Sequence, residues 1–212
     1  MKFLELINKC LVELNYKSVP DFAELNKNDH KKLINILNIL NNEICSSEKW
    51  DFLQRKMNFV LPKNTAETEN IVEGGIEAVY IDGVKYDYFA DFEKFFMNSQ
   101  PSGTYSFYDD KILFPMFNQD KNVMVLYYTN KYVNDSQGQE KSLLEDANDS
   151  SVIPDVFAEP LLVYGACMRL KGNPQHIRFS YWLSMYRDAL ANMRSRISAS
   201  MDEAPEVKMH RK

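Results

Sequence analysis

Three histidines, three cysteines and thirty acidic side chains could ligate a metal, attack a carbonyl or carry a proton. His30 stands beside lysines at the start of a helical pattern, and His176 falls in what reads as the first turn of the last helix. Neither has a Cys, Asp or second His at ligand spacing, and His210 lies in a polar tail, so each reads as a surface histidine. Cys10, Cys45 and Cys167 are odd in number and widely spaced, with no CxxC pair. That pattern indicates neither a zinc site nor a disulfide framework, but small apolar residues, buried or half-buried, in a reducing compartment. No Ser or Cys sits in a nucleophile elbow, and no Gly-rich phosphate loop precedes a helix; Gly74-Gly75 reads as a turn. A glycosidase-like carboxylate pair is a geometric signature that a sequence neither shows nor excludes. The expectation is a chain that is not an enzyme and carries no cofactor and no metal.

Two other groups of residues carry more weight. Arg178, Arg187, Arg194 and Arg196 fall on the last helix, and the chain closes with Lys208, His210, Arg211 and Lys212. They read either as a solvated face with charge suited to a helix C-terminus or as a docking element for an acidic groove or for passing DNA. The second group is aromatic: Tyr80, Tyr86, Tyr88, Phe89, Phe92, Phe95, Phe96, Tyr105, Phe107, Tyr108, Tyr127, Tyr128 and Tyr132 crowd one strand-rich stretch. A small sheet cannot bury that many rings on one face. The surplus points to an interface, where such rings are enriched, with Tyr86, Tyr88, Phe107 and Tyr128 as its candidate residues.

The elements that must hold these residues follow from the pattern. The chain has 212 residues, 45% of them hydrophobic, enough for a core, and a net charge of -5 that gives no overall field toward nucleic acid or an anionic membrane. The opening MKFLELINKCLVEL is interrupted by Glu5, Asn8, Lys9 and Glu13, so it is not a signal peptide, and no run reaches the ~20 apolar residues of a membrane span. A cytoplasmic chain is expected, with no membrane partner. Frequent Asn and Lys read as the mark of an AT-rich coding genome.

Phe3, Ile7, Leu11 and Leu14 make one helical stripe; Leu33, Ile36, Leu40 and Ile44 make a second, widened by Leu37 and Ile39 as for a helix packed on more than one side, with Asn28 as its N-cap. Asn58–Leu61 reads as a strand, 63–75 as a loop, and Asp82-Gly83 as a two-residue hairpin turn. DFEKFF (91–96) is ambiguous. A second hairpin turns at Asp109-Asp110, and VMVLYYT (123–129) reads as a central strand. Residues 134–152 are polar and acidic, either a solvated linker or a projecting loop that orders on a partner. A helix runs from Ile153-Pro154-Asp155 to about Lys171, and Gly172-Asn173-Pro174 turns into a last helix. The expected class is α+β: a bundle of about four helices, an N-terminal pair plus a C-terminal αα-hairpin, with an inserted small antiparallel β-sheet module. Its divisions are 1–57 with 153–197 for the bundle, 58–133 for the module, 134–152 for the acidic loop and 198–212 for a flexible, basic-ended tail.

This order of parts resembles the head-to-tail connector (adaptor, or tail tubular protein A-like) family of tailed bacteriophages. The resemblance rests on SSEKWDFLQRKMNFVLP, on VYIDGVKY with MVLYYT, and above all on IPDVFAEPLLVYGACMRLKGNPQHIRFSYWLSMYRDALANMRS. Pro160 departs from the pattern by falling inside the helix, and the acidic loop is particular to this chain. The resemblance implies a virion protein at the head-tail junction, assembled in the host cytoplasm as a homo-oligomeric ring, usually of about twelve copies. It implies portal protein above, the next tail component below and non-specific passage of DNA through the channel. Portal docking would fall to Arg194, Arg196, Lys208, Arg211 and Lys212. The alternatives are a stand-alone protein-binding module or a carboxylate-dependent enzyme.

Overall fold

A computed structural model describes residues 1–68, 72–109 and 111–201. Lys208, Arg211 and Lys212, and all of the expected tail beyond residue 201, lie outside the described residues. The chain divides into two compact units, Met1–Phe52 with Tyr132–Lys212, and Leu53–Lys131.

The first unit is built around amphipathic helices. Helix α1 (Phe3–Glu13) buries Phe3, Leu6, Ile7, Cys10 and Leu11. Helix α2 (Asn28–Ser46) buries Leu33, Leu37, Leu40, Asn41, Ile44 and Cys45. Of the expected stripe Ile36 is only half-buried; of the two residues expected to widen it, Leu37 is buried and Ile39 is exposed. Trp50, fully buried, donates its indole N–H to the Ile44 carbonyl (2.6 Å), closing the end of α2. The next rod runs without a break through α4 (Asp155–Ala158), a π segment (Glu159–Val163) and α5 (Tyr164–Lys171). Pro160 explains the π segment: it offers no N–H and its ring crowds the preceding turn, and the wider coil relieves both. Gly172 then ends α5 in left-handed backbone (φ 57°), its N–H donating to the Met168 carbonyl (2.9 Å).

Two expected helix starts are corrected. Asn28 is the first helical residue of α2, and Lys27 holds the cap position without a side-chain bond. Helix α6 (Phe179–Met201) begins past the turn at Pro174. Asn173 accepts from the Gln175 amide (2.9 Å), His176 stacks on Trp182 (5.0 Å), and Arg178 reaches back to Glu13. Those contacts hold residues 174–178 as turns.

Residues 134–152 are neither a bare linker nor a projecting loop. Strands β7 (Val133–Asn134), β8 (Glu140–Lys141) and β9 (Ser150–Ser151) form a three-stranded sheet in the order β8-β7-β9. Helix α2 holds it with side-chain amides. Asn38 accepts from the Leu144 N–H (2.8 Å) and donates to the Leu144 carbonyl (3.0 Å), while Asn41 donates to the Tyr132 carbonyl (3.1 Å). Leu144 and Asp149 are buried. Asp149 accepts from the amides of Glu145 and Asp146 and from Lys141 (2.8 Å), while its backbone carbonyl takes the first amide of α1. Burial opposes ionisation of Asp149, but those amides and the Lys141 ammonium outweigh it and hold its carboxyl below the ordinary carboxylate range.

The second unit is one curled, mixed sheet of six strands in the order β1-β6-β2-β3-β4-β5. These are β1 (Gln54–Leu61), β2 (Gly74–Ile81), β3 (Val84–Tyr88), β4 (Thr104–Tyr108), β5 (Lys111–Leu113) and β6 (Lys121–Thr129). Asp82 (φ 49°) and Gly83 (φ 81°) make the β2–β3 turn, as that pair of residues demands. Strand β3 pairs parallel with β4, at Asp87↔Thr104 and Tyr88↔Tyr105, across a connection holding the short helix α3 (Glu93–Phe96). Residues 64–68 run back along β5 and beyond it, with Asn64 donating to Phe117 (2.7 Å) and Phe114 donating to Ala66 (2.7 Å), which curls the sheet. Inside lie Leu61, Val79, Ile81, Ile112, Phe114, Val123 and Val125.

The expected bundle of about four helices with a small antiparallel insert is therefore overturned. The fold is strand-rich α+β, with five helices among the described residues when α4 to α5 is counted as one rod, a six-stranded mixed sheet and a second sheet of three strands. Strands of two or three residues show no alternation, and the parallel β3–β4 pairing joins segments that no local pattern links.

Two outcomes follow. A side chain at Gly165 meets Leu40 and Tyr186 at 3.2 Å, so Gly165→Val lowers stability by about 2 kcal/mol, read as a lower urea midpoint; an unchanged midpoint would show that the crossing yields freely. Asp149→Asn costs about 2 kcal/mol at neutral pH. A carboxylate with a lowered folded pKa contributes stability above its unfolded pKa, about 3.9, and loses it as pH falls through the folded value. The gap between parent and variant should therefore close below about pH 4; a gap independent of pH refutes the assignment.

Candidate functional site

The three thiols are sequestered. Cys10, Cys45 and Cys167 are all buried. The Cys10 thiol donates to the Val163 carbonyl and the Cys167 thiol to the Cys10 carbonyl, both at 3.8 Å. Burial, reinforced by neighbouring Cys167, pushes the Cys10 thiol well up, and burial alone pushes Cys45 up to about 12. Protonated thiols are poor nucleophiles. Among the described residues no group of three His, Cys, Asp or Glu side chains could hold a metal ion, and no helix is long and apolar enough to cross a membrane. His30 is buried in the first turn of α2, contrary to its expected surface position, and His176 is half-buried against Trp182; His210 lies outside the described residues.

Arg178, expected on the last helix, lies in the turn before α6, while Arg194 and Arg196 on α6 are engaged. Arg178 donates to the Glu13 carbonyl (3.1 Å) and carboxylate (3.3 Å), and Trp182 shares that carboxylate. Arg194 pairs with Glu48, and Arg196 lies over the Phe157 ring at 4.7 Å. Both expected docking arginines within the described residues thus also serve packing of the first unit. The four expected interface residues separate. Tyr86 sits edge-on to Phe117 (6.5 Å) and Phe107 packs on the sheet core. The Tyr128 hydroxyl accepts from Gln54 (3.0 Å). Tyr88 alone among the four is well exposed, resting edge-on against Tyr105 at 5.8 Å.

The most prominent apolar surface lies elsewhere, around α3. Phe95 is buried and anchors this single turn, while the left-handed Asn98 (φ 54°) ends it with its N–H donated to the Phe95 carbonyl (3.2 Å). With Phe95 inward, Phe96 turns outward, and Phe92, one helical turn before it, is half-buried, their rings 6.3 Å apart. Tyr108, at the end of β4, meets both, at 4.8 Å from Phe92 and 5.7 Å from Phe96. Met97 follows directly, and Met116 takes a bond from the Asn98 amide (3.8 Å). Phe96 is 63% exposed, Met97 74%, Met116 56% and Tyr108 46%. The ion pairs Lys94–Asp91 and Lys111–Glu67, both at 3.5 Å, stand nearby.

A second apolar surface occupies the outer face of β1, β6 and β2. The register sets Asn58, Met124 and Tyr80 in one row. With Val60 they line a shallow groove of about 480 Å³. The spacing of Phe92 and Phe96 was legible in the sequence, but their meeting with Tyr108 was not. No family model matches the chain, and no curated protein matches its sequence.

A core ring and a surface ring should behave differently. Phe95→Ser should cost about 3 kcal/mol, whereas Phe96→Ser should stay within about 0.5 kcal/mol of the parent, both by chemical denaturation. Equal losses would show that Phe96 is a core residue.

Proposed function

We propose that the chain is a structural protein of a phage virion, assembling into an oligomeric ring that joins portal to tail and lines the DNA channel. The observation that carries this reading is the exposed cluster of Phe96, Met97, Tyr108 and Met116, with the half-buried Phe92 beneath it, on a folded sheet. Contiguous exposed aromatics and methionines mark surfaces that other proteins cover. A closed ring needs two different surfaces on each copy, one meeting the other on the next copy. The α3 cluster and the outer face of β1, β6 and β2 are formed by different elements and supply two candidates. The resemblance of residues 153–195 to connector proteins supplies the direction, toward portal and tail.

The same cluster suits a stand-alone binding module, and assembly state separates the two. Native mass spectrometry and electron microscopy of the chain, alone and with portal protein, should show a closed high-order species. Phe96→Asp with Tyr108→Asp should reduce it to monomer without unfolding. A parent chain that stays monomeric beside portal sinks the ring reading.

A further inference from the structure

The cavity at the start of α2 belongs to neither surface described above. It measures about 730 Å³ and is walled by the turn after α1, from Asn15 to Val19, and by the approach to α2.

Three observations meet there. First, α2 is nineteen residues long and begins uncapped, so its dipole and its first amides are offered outward. Among the described residues no acceptor meets the N–H groups of Asn28, Asp29 or His30; the first satisfied amide is that of Lys31, on the Lys27 carbonyl (3.1 Å). Helix α1 differs, because its Phe3 and Leu4 amides end on the carbonyls of Asp149 and Ala147. Second, His30 lines the cavity, is only 5% exposed, and its Nδ1 has no hydrogen-bond partner. Buried ring nitrogens are ordinarily satisfied, so an unpartnered one beside a cavity marks a place for a ligand atom. Third, Lys17 and Lys27 also line the cavity. Glu24 and Asp29 line it as well and oppose an anion, with Asp29 taking the Tyr16 hydroxyl at 3.4 Å.

We propose that the start of α2, with His30, Lys17 and Lys27, is a binding site for an oxyanion of the phosphate class. Three amides, one ring N–H and two ammonium groups offer more donors than the two oxygens of a carboxylate can use, whereas a phosphate carries oxygens for several at once. His30 donates from Nδ1. Asp29 is the competing charge that weakens the site. The source is either free phosphate or a phosphodiester of nucleic acid, and the site stands apart from the assembly reading.

Equilibrium dialysis of the full chain against radiolabelled inorganic phosphate, at fixed ionic strength set with sodium chloride, tests it in any oligomeric state. Saturable binding of one phosphate per chain is expected. His30→Phe should weaken it about tenfold and Lys27→Gln about fivefold, while Asp29→Asn should tighten it about fivefold. Lys27 and Asp29 are exposed, so those two variants decide the matter if His30→Phe does not fold. A short DNA duplex that displaces the label assigns the site to a phosphodiester; retention of the label assigns it to free phosphate. Binding that fails to saturate, or that all three variants leave unchanged, overturns the proposal.

Discussion

Helices α1, α2 and α6 can all reach α5 because residues 165–167 are Gly, Ala and Cys. At Gly165 the neighbouring Leu40 and Tyr186 side chains leave no room for even a methyl group without displacement. Larger residues there would hold the helices apart and leave their apolar stripes in water, at about 25 cal/mol per Å² of surface left uncovered. Pro160 belongs to the same solution. In the π segment that goes with it, three consecutive side chains, Leu161, Leu162 and Val163, are buried. The close packing that stabilises this unit also keeps Cys10 protonated, so the tightness of the core and the inertness of that thiol share one cause.

Polar residues complete what the apolar stripes begin. Asn38 and Asn41 use both halves of their amides, as donor and acceptor, to fasten the 132–151 segment to α2. That segment in turn satisfies the first amides of α1 with its own carbonyls. The buried carboxylate of Asp149 lies at its centre, tolerated because two amides and an ammonium surround it. A stretch that looks like a linker by composition is thus a structural bracket.

In the sheet unit the interior is filled from within. Leu61, Val79, Ile81, Phe114, Val123 and Val125 occupy it, with Tyr105 and Ile112 completing the wall, so the rings of α3 have no place inside beyond that of Phe95. A single helical turn cannot face the core on all sides: Phe95 is buried, Phe92 three residues before it is half-buried, and Phe96 is left exposed. Exposed apolar area of this kind is stabilised when another surface covers it, which is the physical basis for reading the unit as an assembly module.

By itself the sequence determined those features that depend on neighbours a few residues apart. The stripes of α1 and α2, the Asp82-Gly83 turn, the left-handed Gly172, the apolar strand that became β6 and the α+β class all follow from local periodicity and local backbone preference. Tertiary structure alone decided the rest. The parallel β3–β4 pair, the curl made by residues 64–68, the service of Asn38 and Asn41 and the burial of His30 depend on segments far apart in the chain. So does the meeting of Phe92 and Phe96 with Tyr108, which made the candidate surface. Burial is a property of the neighbours that folding brings together, and a side chain's type does not say which neighbours those will be.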